Sequence, residues 1–225
     1  MIWQLMKQDF RFQARHGFYI VYAFVSLFYI IILHWMPVDV RDDVAPVIVL
    51  MDPAAVGFFI VGAGVLLERS QGVLDPIFVT PIRLQDYIWS KAITLALLGF
   101  VSGEVVLIGS LGRLNWLGSI GLYAISVIMS LFGLALALRA KTVNIFLMKA
   151  SLAMIMLLLP LLSYFHLVSH SIFSVLPTAA ALRLLSSSSA PFSLFEGILA
   201  AANLCLWLVI AFQLAYKAYE HTRYK

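Results

Sequence analysis

The stretch ERSQGVLDPIFVTPIRLQDYIWSK, residues 68–91, is the longest polar-flanked interruption in an otherwise mostly apolar chain. One long apolar segment precedes it and another follows it, so it predicts a loop at a membrane face. Gly72 suits the left-handed conformation with which many helices end. Beyond it, apolar residues recur at helical spacing and predict a short helix with one apolar face. These residues are Val73, Leu74, Ile77 and Phe78.

The prolines of this stretch fit that short helix. Pro76 falls in the first turn, where its missing N–H would have no partner. Thr80-Pro81 ends the helix, because the residue before a proline is pushed out of the α region. Thr80 then suits the cap of the next helix, with Pro81 as its first residue. On physical grounds the apolar face of the short helix either lies among lipid headgroups or docks into a soluble partner.

The residues Glu68, Gly72, Leu74, Phe78-Val79-Thr80-Pro81 and Lys91 resemble a signature of type-two ATP-binding-cassette (ABC) exporter permeases. That resemblance implies that the short helix is a coupling helix, which inserts into a nucleotide-binding subunit. The chain departs from the family at Asp75-Pro76, where a helix former more often follows the acidic residue. The residues implied to bind the partner are Glu68, Gly72, Val73, Leu74, Asp75, Ile77, Phe78, Thr80 and Pro81.

The composition predicts an all-α integral membrane protein. The 225 residues are 63% hydrophobic and 12% charged, and the mean hydropathy is +0.99. A soluble domain of this size could not bury so much apolar surface. Each span needs about 20 apolar residues, so about five to seven helices fit. The single cysteine, Cys205, excludes a disulfide within the chain.

Positive charge is unevenly distributed among the polar segments between the apolar runs. If the N-terminus, the 68–91 loop, residues 139–149 and the C-terminus share one side, only Arg41, Arg113 and Arg183 remain for the other. The positive-inside rule then predicts an even number of spans, with both termini in the cytoplasm of a bacterial plasma or inner membrane. Membrane topology therefore accounts for the basic residues, and a nucleic-acid partner is not needed to explain them. The shared side holds Lys7, Arg11, Arg15, Arg69, Arg83, Lys91, Arg139, Lys141, Lys149, Lys217, Arg223 and Lys225.

The chain is expected to form one membrane domain over residues 1–225, beginning with an interfacial helix at 1–16 that Gly17 breaks. Asp52 suits an N-cap with Pro53 as the first residue of the second span, after an external turn at 37–46. Pro160 predicts a kink in the fifth span. The six spans are expected at about 18–36, 53–70, 92–111, 119–138, 145–165 and 194–216.

Residues 166–194 contain short apolar pieces around Ser171–Leu176 and Pro177–Leu185, each too short to span a bilayer. Backbone at membrane depth is tolerated only where protein or a cavity covers it, so we expect a re-entrant or interfacial helical pair. The pattern Leu176-Pro177-Thr178…Leu182-Arg183 is similar to an element that precedes the last span of type-two permeases.

Several enzyme classes are excluded. The chain has no Gly-x-x-x-x-Gly-Lys-(Ser/Thr) motif, so it does not bind ATP through a P-loop. Neither a His-Glu-x-x-His motif nor a cysteine pair suggests a metal site. We therefore expect no cofactor in this chain and no catalysis by it. The family resemblance implies that ATP and magnesium are held by the partner subunit.

Glu104 is the one acidic residue expected deep in a span. A carboxyl group there should face the bundle interior, be protonated or have a polar partner, for which Ser102 and Asn203 are available. Glu104, Asp52 and Asn203 are the candidates for a transport pathway. The alternatives are an interhelical hydrogen bond at Glu104 and a helix cap at Asp52. Gly99 and Gly103 would let another helix approach this span closely.

A narrower resemblance lies in Asp52-Pro53, Gly57-Phe58-Phe59 and Leu66-Leu67-Glu68, which look like permeases of the fluoroquinolone-exporter group. It implies a permease that exports a small amphipathic, drug-like molecule. Two copies, or one copy and a relative, would pair with two nucleotide-binding subunits. A non-transporting membrane scaffold or sensor associated with an ATPase is the alternative, and a cassette ATPase encoded beside this chain would favour the transporter.

Overall fold

The computed structural model describes residues 2–70, 83–168, 171–188 and 192–223, and none of these forms a β-strand. The predicted coupling helix, residues 72–81, lies outside the described residues. The described residues form a series of helices and helical turns. In chain order these are α1 (Ile2–Arg15), α2 (Phe18–Trp35), α3 (Val38–Ala55), a π-helical turn (Val56–Ile60), α4 (Val61–Ser70), α5 (Leu84–Leu111), α6 (Trp116–Arg139), α7 (Val143–Leu158), α8 (Pro160–Tyr164), a 3₁₀ turn (Ser171–Val175), α9 (Pro177–Leu185), a second 3₁₀ turn (Ser186–Ser188) and α10 (Leu194–Arg223).

Five helical segments of the described residues are long and apolar enough to cross a membrane. This supports the predicted multi-pass, all-helical architecture. The predicted second span is not among the five, so the count of six spans stays a prediction. The five segments are Phe18–Trp35, Leu84–Leu111, Trp116–Arg139, Val143–Tyr164 and Leu194–His221.

The region of the predicted second span differs from the expectation. Helix α3 begins at Val38 and continues through the π-helical turn into α4. The predictions of a turn at 37–46 and of a helix start at Asp52-Pro53 are therefore wrong, whereas the external position of 37–46 stays a prediction. Prolines inside a helix remove a hydrogen bond, but packing can outweigh that local loss. Here Leu50 and Phe58 are fully buried on either side of Pro53. The π-helical turn follows directly, and such turns commonly accommodate irregular helix geometry.

The start of α5 also differs. Arg83 has an extended backbone with φ −68° and ψ 135°, and the helix begins at Leu84, so Pro81 is not its first residue. Asp86 lies in the first turn, where a negative charge interacts favourably with the helix dipole. At the other end, Gly112 has a φ of 65° and its N–H donates to the carbonyl of Ile108. Gly17 has a φ of 73° between α1 and α2, as expected for a break there.

Helix α6 lies at the centre of the bundle and packs against α3, α4, α5, α9 and α10. Its apolar side chains are covered on nearly all sides, which is typical of a helix inside a larger helical protein. Six of its large side chains are almost wholly buried: Leu122, Ile125, Ile128, Met129, Leu131 and Leu134. The helices around α6 therefore all pack against this one central helix.

The 3₁₀ turn Ser171–Val175 and α9 occupy the places of the two expected short pieces. Helix α9 is fixed on both sides. The Thr178 hydroxyl donates to the carbonyl of Leu157, and the Asn115 side chain donates to the carbonyls of Leu184 and Leu185 at 3.2 Å each. Whether these pieces enter the membrane stays a prediction.

Small residues allow two helices to touch backbone to backbone near the π-helical turn. A Cβ atom at Gly133 of α6 would lie 2.8 Å from the carbonyl oxygen of Gly57 and 2.9 Å from Cα of Phe58. Gly103 of α5 is similarly close to its neighbours, since a Cβ there would lie 2.7 Å from Leu122 and 2.8 Å from Val49. At Gly103 these neighbours are side chains of α6 and α3, so the close helix approach expected at Gly99 and Gly103 stays a prediction.

Gly133→Ala is therefore expected to destabilise the protein. The added methyl group meets backbone, which cannot rotate away, and overpacking of this kind costs about 1–3 kcal/mol. The thermal unfolding temperature in detergent should fall by several degrees. Gly64→Ala is the matched control, because a Cβ there meets nothing within 4 Å. Equal unfolding temperatures for the two variants would contradict the close contact.

Candidate functional site

A buried cluster of charges joins α1, α4 and α5. The Lys91 ammonium lies 2.6 Å from Oδ1 of Asp9 and also forms an ion pair with Glu68. The side chains of Lys91, Asp9 and Glu68 are only 14%, 11% and 17% exposed. Charges withdrawn from water to this degree require partners, because the desolvation penalty amounts to several kcal/mol per ion.

Each carboxylate of this cluster receives a second hydrogen bond. The Ser90 hydroxyl donates to Oδ2 of Asp9 at 2.6 Å, and the Tyr87 hydroxyl donates to Oε2 of Glu68 at 3.0 Å. Tyr87 lies four positions before Lys91 and three before Ser90, so it is a neighbour of both on the surface of α5. Groups of α5 therefore satisfy both carboxylates, and these contacts hold α1 and α4 against α5.

Tyr87 extends the cluster to the last helix. Its ring lies 5.4 Å from the ring of Tyr219 in α10, measured between centroids. The Lys91 ammonium lies 5.8 Å from the Tyr87 ring centroid, within range of a cation–π contact. The charged cluster and the Tyr87–Tyr219 contact thus bring four helices together: α1, α4, α5 and α10.

The position of the cluster relative to residues 71–82 gives it functional interest. Glu68 lies in the last turn of α4, just before this stretch, and Lys91 lies two turns into α5, just after it. The cluster therefore holds the two helix ends that flank residues 71–82 to each other and to α1. The family signature contains Glu68 and Lys91, but it does not contain Asp9.

Sequence reasoning missed Asp9. The signal was present, since Asp9 follows Met6 by three positions and precedes Gln13 by four, which places it on one face with an apolar residue. An acidic residue on the apolar side of an interfacial helix needs a buried partner. In the structure both Asp9 and Gln13 are buried.

Glu104 and Asn203, two of the three predicted pathway residues, form no hydrogen bond with each other in the described part of the chain. Oε1 of Glu104 is buried and has no hydrogen-bond partner in the part of the chain that the structure describes. Its suggested partner Asn203 donates instead to the carbonyls of Val175 at 2.9 Å and Ser174 at 3.4 Å. Ser102 contacts the hydroxyl of Ser26 at 2.8 Å. The side chain of Asp52 lies outside the described residues.

Asn203 lines a cavity of about 780 Å³ between α8, the first 3₁₀ turn, α9 and α10. The cavity has mostly apolar walls, with the ion pair of Arg183 and Glu196 among its polar groups. A concave, largely apolar site with a few convergent polar groups is the usual form of a small-molecule site. Glu104 does not line it.

Residues 1–224 match the model of the Fluoroquinolones export permease protein family. The chain belongs to this family. Two relatives are 28% identical over 212 residues, covering 89% of this chain and 90% of theirs. They are the Fluoroquinolones export permease proteins of Mycobacterium tuberculosis strains CDC 1551 and H37Rv. No solved structure matches the chain.

Membership of the fluoroquinolone export permease family confirms the narrower resemblance seen in the sequence. It identifies the chain as a membrane transport component. The helical segments described above agree with that class, since five of them have the length and composition of membrane spans.

Lys91→Met is expected to destabilise the protein strongly, because it leaves Asp9 and Glu68 buried without their counter-ion. Removing one partner of a buried ion pair costs about 3–5 kcal/mol, or roughly 10 °C in unfolding temperature for a chain of this size. Adding Asp9→Asn and Glu68→Gln to Lys91→Met should restore most of the loss. These amides still accept from Ser90 and Tyr87 but carry no charge.

The matched control is Arg113→Gln, which breaks the ion pair of Arg113 with Asp42 at 2.8 Å. Those side chains are 40% and 32% exposed, and pairs of that kind contribute about 0–1 kcal/mol. Similar unfolding temperatures for Lys91→Met and Arg113→Gln would show that the cluster does not hold the helices together.

Proposed function

We propose that this chain is the membrane-spanning permease subunit of an ABC exporter and that a separate subunit hydrolyses the ATP. The observation that carries the proposal is the ion-paired cluster of Asp9, Lys91 and Glu68. It fixes the two helices on either side of residues 71–82 to each other and to α1. A docking loop that transmits force requires such rigid attachment at both of its ends.

The partner in this proposal is a nucleotide-binding ATPase subunit, which holds ATP and magnesium and receives the helix predicted at 72–81. Its closure on ATP would move this helix. Helix α4 continues through the π-helical turn into α3, so the movement would pass along more than 30 residues of unbroken helix. Export then follows from a switch between two packings of the bundle, which ATP biases.

A second copy of the chain, or a relative, completes the proposed exporter. Helix α7 supports this, because most of its surface is not covered by the rest of the described chain. Its exposed apolar side chains include Leu152, Ile155 and Met156, at 60%, 63% and 67% exposure. Both termini lie in the cytoplasm in this proposal, as the distribution of positive charge predicts.

The proposed substrate is a small amphipathic, drug-like molecule. The names of the relatives support this class, since both are fluoroquinolones export permease proteins. Glu104 supports a role in the pathway, because a buried carboxyl oxygen without a partner deep in a predicted span is costly and is typical of functional positions.

Co-purification with the partner tests the proposal. Leu74→Asp combined with Phe78→Asp should release a co-expressed cassette ATPase while the permease stays in the membrane. Loss of well-packed apolar anchors typically costs 2 kcal/mol or more of binding free energy, which is at least about a thirtyfold loss of affinity. The measurement is the yield of ATPase recovered with a tagged permease.

Leu114→Asp provides the matched control, because Leu114 is also an exposed leucine, at 48%, in a turn predicted on the opposite side. It should leave the yield unchanged. Recovery of the ATPase at wild-type yield with both loop substitutions present would contradict docking at this helix. Docking without ATP-dependent drug efflux from cells would favour the scaffold instead.

A further inference from the structure

The cavity bounded by α8, the first 3₁₀ turn, α9 and α10 has the size of a ligand site. Its volume of about 780 Å³ falls within the range of roughly 300–1,000 Å³ that small-molecule sites occupy. Its wall combines large apolar side chains with one charged pair. The apolar residues include Phe173, Val175, Leu182 and Leu199.

The charged pair on the wall is Arg183 of α9 and Glu196 of α10, with Nη2 and Oε1 2.5 Å apart. Glu196 has a second role at the start of α10. Its Oε2 accepts from the Ser193 N–H at 3.1 Å, and the Ser193 hydroxyl accepts from the Glu196 N–H at 3.2 Å. This reciprocal arrangement is a capping box, which begins a helix by satisfying its first N–H groups.

The group on this wall that can still form hydrogen bonds to a ligand is the cationic side chain of Arg183. Both carboxylate oxygens of Glu196 are engaged, one by Arg183 and one by Ser193. Within the described ranges the Arg183 side chain donates to Glu196 alone, although a guanidinium group has five N–H donors. The Arg183 side chain is also 43% exposed, so a ligand can reach it. Such a group favours an anion, above all a carboxylate or phosphate.

The opposite wall is held in place by hydrogen bonds, so the cavity exists without a ligand. Asn203 donates to the carbonyl of Val175 at 2.9 Å, and the Trp207 ring N–H donates to the same carbonyl at 2.7 Å. These bonds attach the 3₁₀ turn to α10. A preformed site loses less entropy on binding than one that must be ordered by its ligand.

We propose that this cavity binds an amphipathic molecule with one anionic head group. The head group binds Arg183, and the apolar body lies against Phe173, Leu182 and Leu199. Two sources have this chemistry: a carboxylate-bearing exported molecule and an anionic membrane lipid. The first source rests on the proposed export function, whereas binding of a lipid does not.

The test uses the purified full chain in lipid-free detergent, without any ATPase. One probe is norfloxacin, a fluorescent molecule with a carboxylate on an aromatic ring system, followed by fluorescence titration. Its ethyl ester is the uncharged-head control. The other probe is dioleoylphosphatidylglycerol, followed by native mass spectrometry. Dependence on Arg183 for one probe or the other identifies the source.

Arg183→Gln should weaken binding of the anionic probe by about tenfold or more, because hydrogen bonds between charged groups are lost. It should leave binding of the ethyl ester unchanged. Arg113→Gln is the matched control, since Arg113 is also a half-exposed, ion-paired arginine of the same predicted side but does not line the cavity. It should have no effect on either probe.

A second pair of variants covers the case in which Arg183→Gln fails to fold. Ala179 is half-buried on the cavity wall, so Ala179→Trp should fill the space and abolish binding. Ala201 is exposed on α10 and does not line the cavity, so Ala201→Trp should bind as the wild type does.

The proposal is overturned if neither probe depends on Arg183, or if Ala179→Trp binds as well as Ala201→Trp. It is also overturned if Arg113→Gln weakens binding as much as Arg183→Gln. Because the permease is tested alone, loss of ATPase docking leaves these results unaffected. Arg183-dependent binding, combined with loop substitutions that leave ATPase recovery at the wild-type yield, would thus retain the cavity and contradict ATPase docking at the loop.

Discussion

A single ammonium group held between two carboxylates is the constraint on which the packing of α1, α4 and α5 depends. Lys91 cannot lie there without Asp9 and Glu68, and they cannot be buried without Lys91. A buried ion pair contributes little net stability compared with apolar packing, yet breaking it is strongly destabilising. Such a cluster therefore acts through specificity. Through Lys91 it attaches α1 to both helices that flank residues 71–82.

The rest of the bundle is closely packed around α6. Helix α6 is buried on nearly all sides, and Gly133 brings its backbone against that of Gly57 and Phe58. Closely packed interiors do not deform continuously, so a displacement at one end either stays local or shifts whole helices between discrete packings. The π-helical turn at Val56–Ile60 lies at this contact, and π-helical turns are frequent at functional positions.

Much of the helical architecture could be predicted from the sequence, because long apolar runs, Gly17 and Pro160 are strong local signals. The start at Asp52-Pro53 was wrong because proline marks a local preference, whereas the burial of Leu50 and Phe58 depends on helices distant in sequence. Asp9 was missed for the same reason, since its partners Ser90 and Lys91 lie 81 and 82 residues away. The walls of the cavity come from four separate elements, so no single sequence motif predicts it. The coupling-helix residues, Gly72 to Pro81, stay a prediction.

The most direct test of the central claim is the ratio of drug exported to ATP hydrolysed in reconstituted vesicles. The permease would carry Asp9→Asn, Glu68→Gln and Lys91→Met together, paired with its ATPase. If the cluster transmits the movement of the loop to the helices, this uncharged variant should assemble and hydrolyse ATP while the ratio falls at least about tenfold, equivalent to about 1.4 kcal/mol. A ratio equal to that of the wild type would show that the cluster holds the fold together but plays no part in coupling.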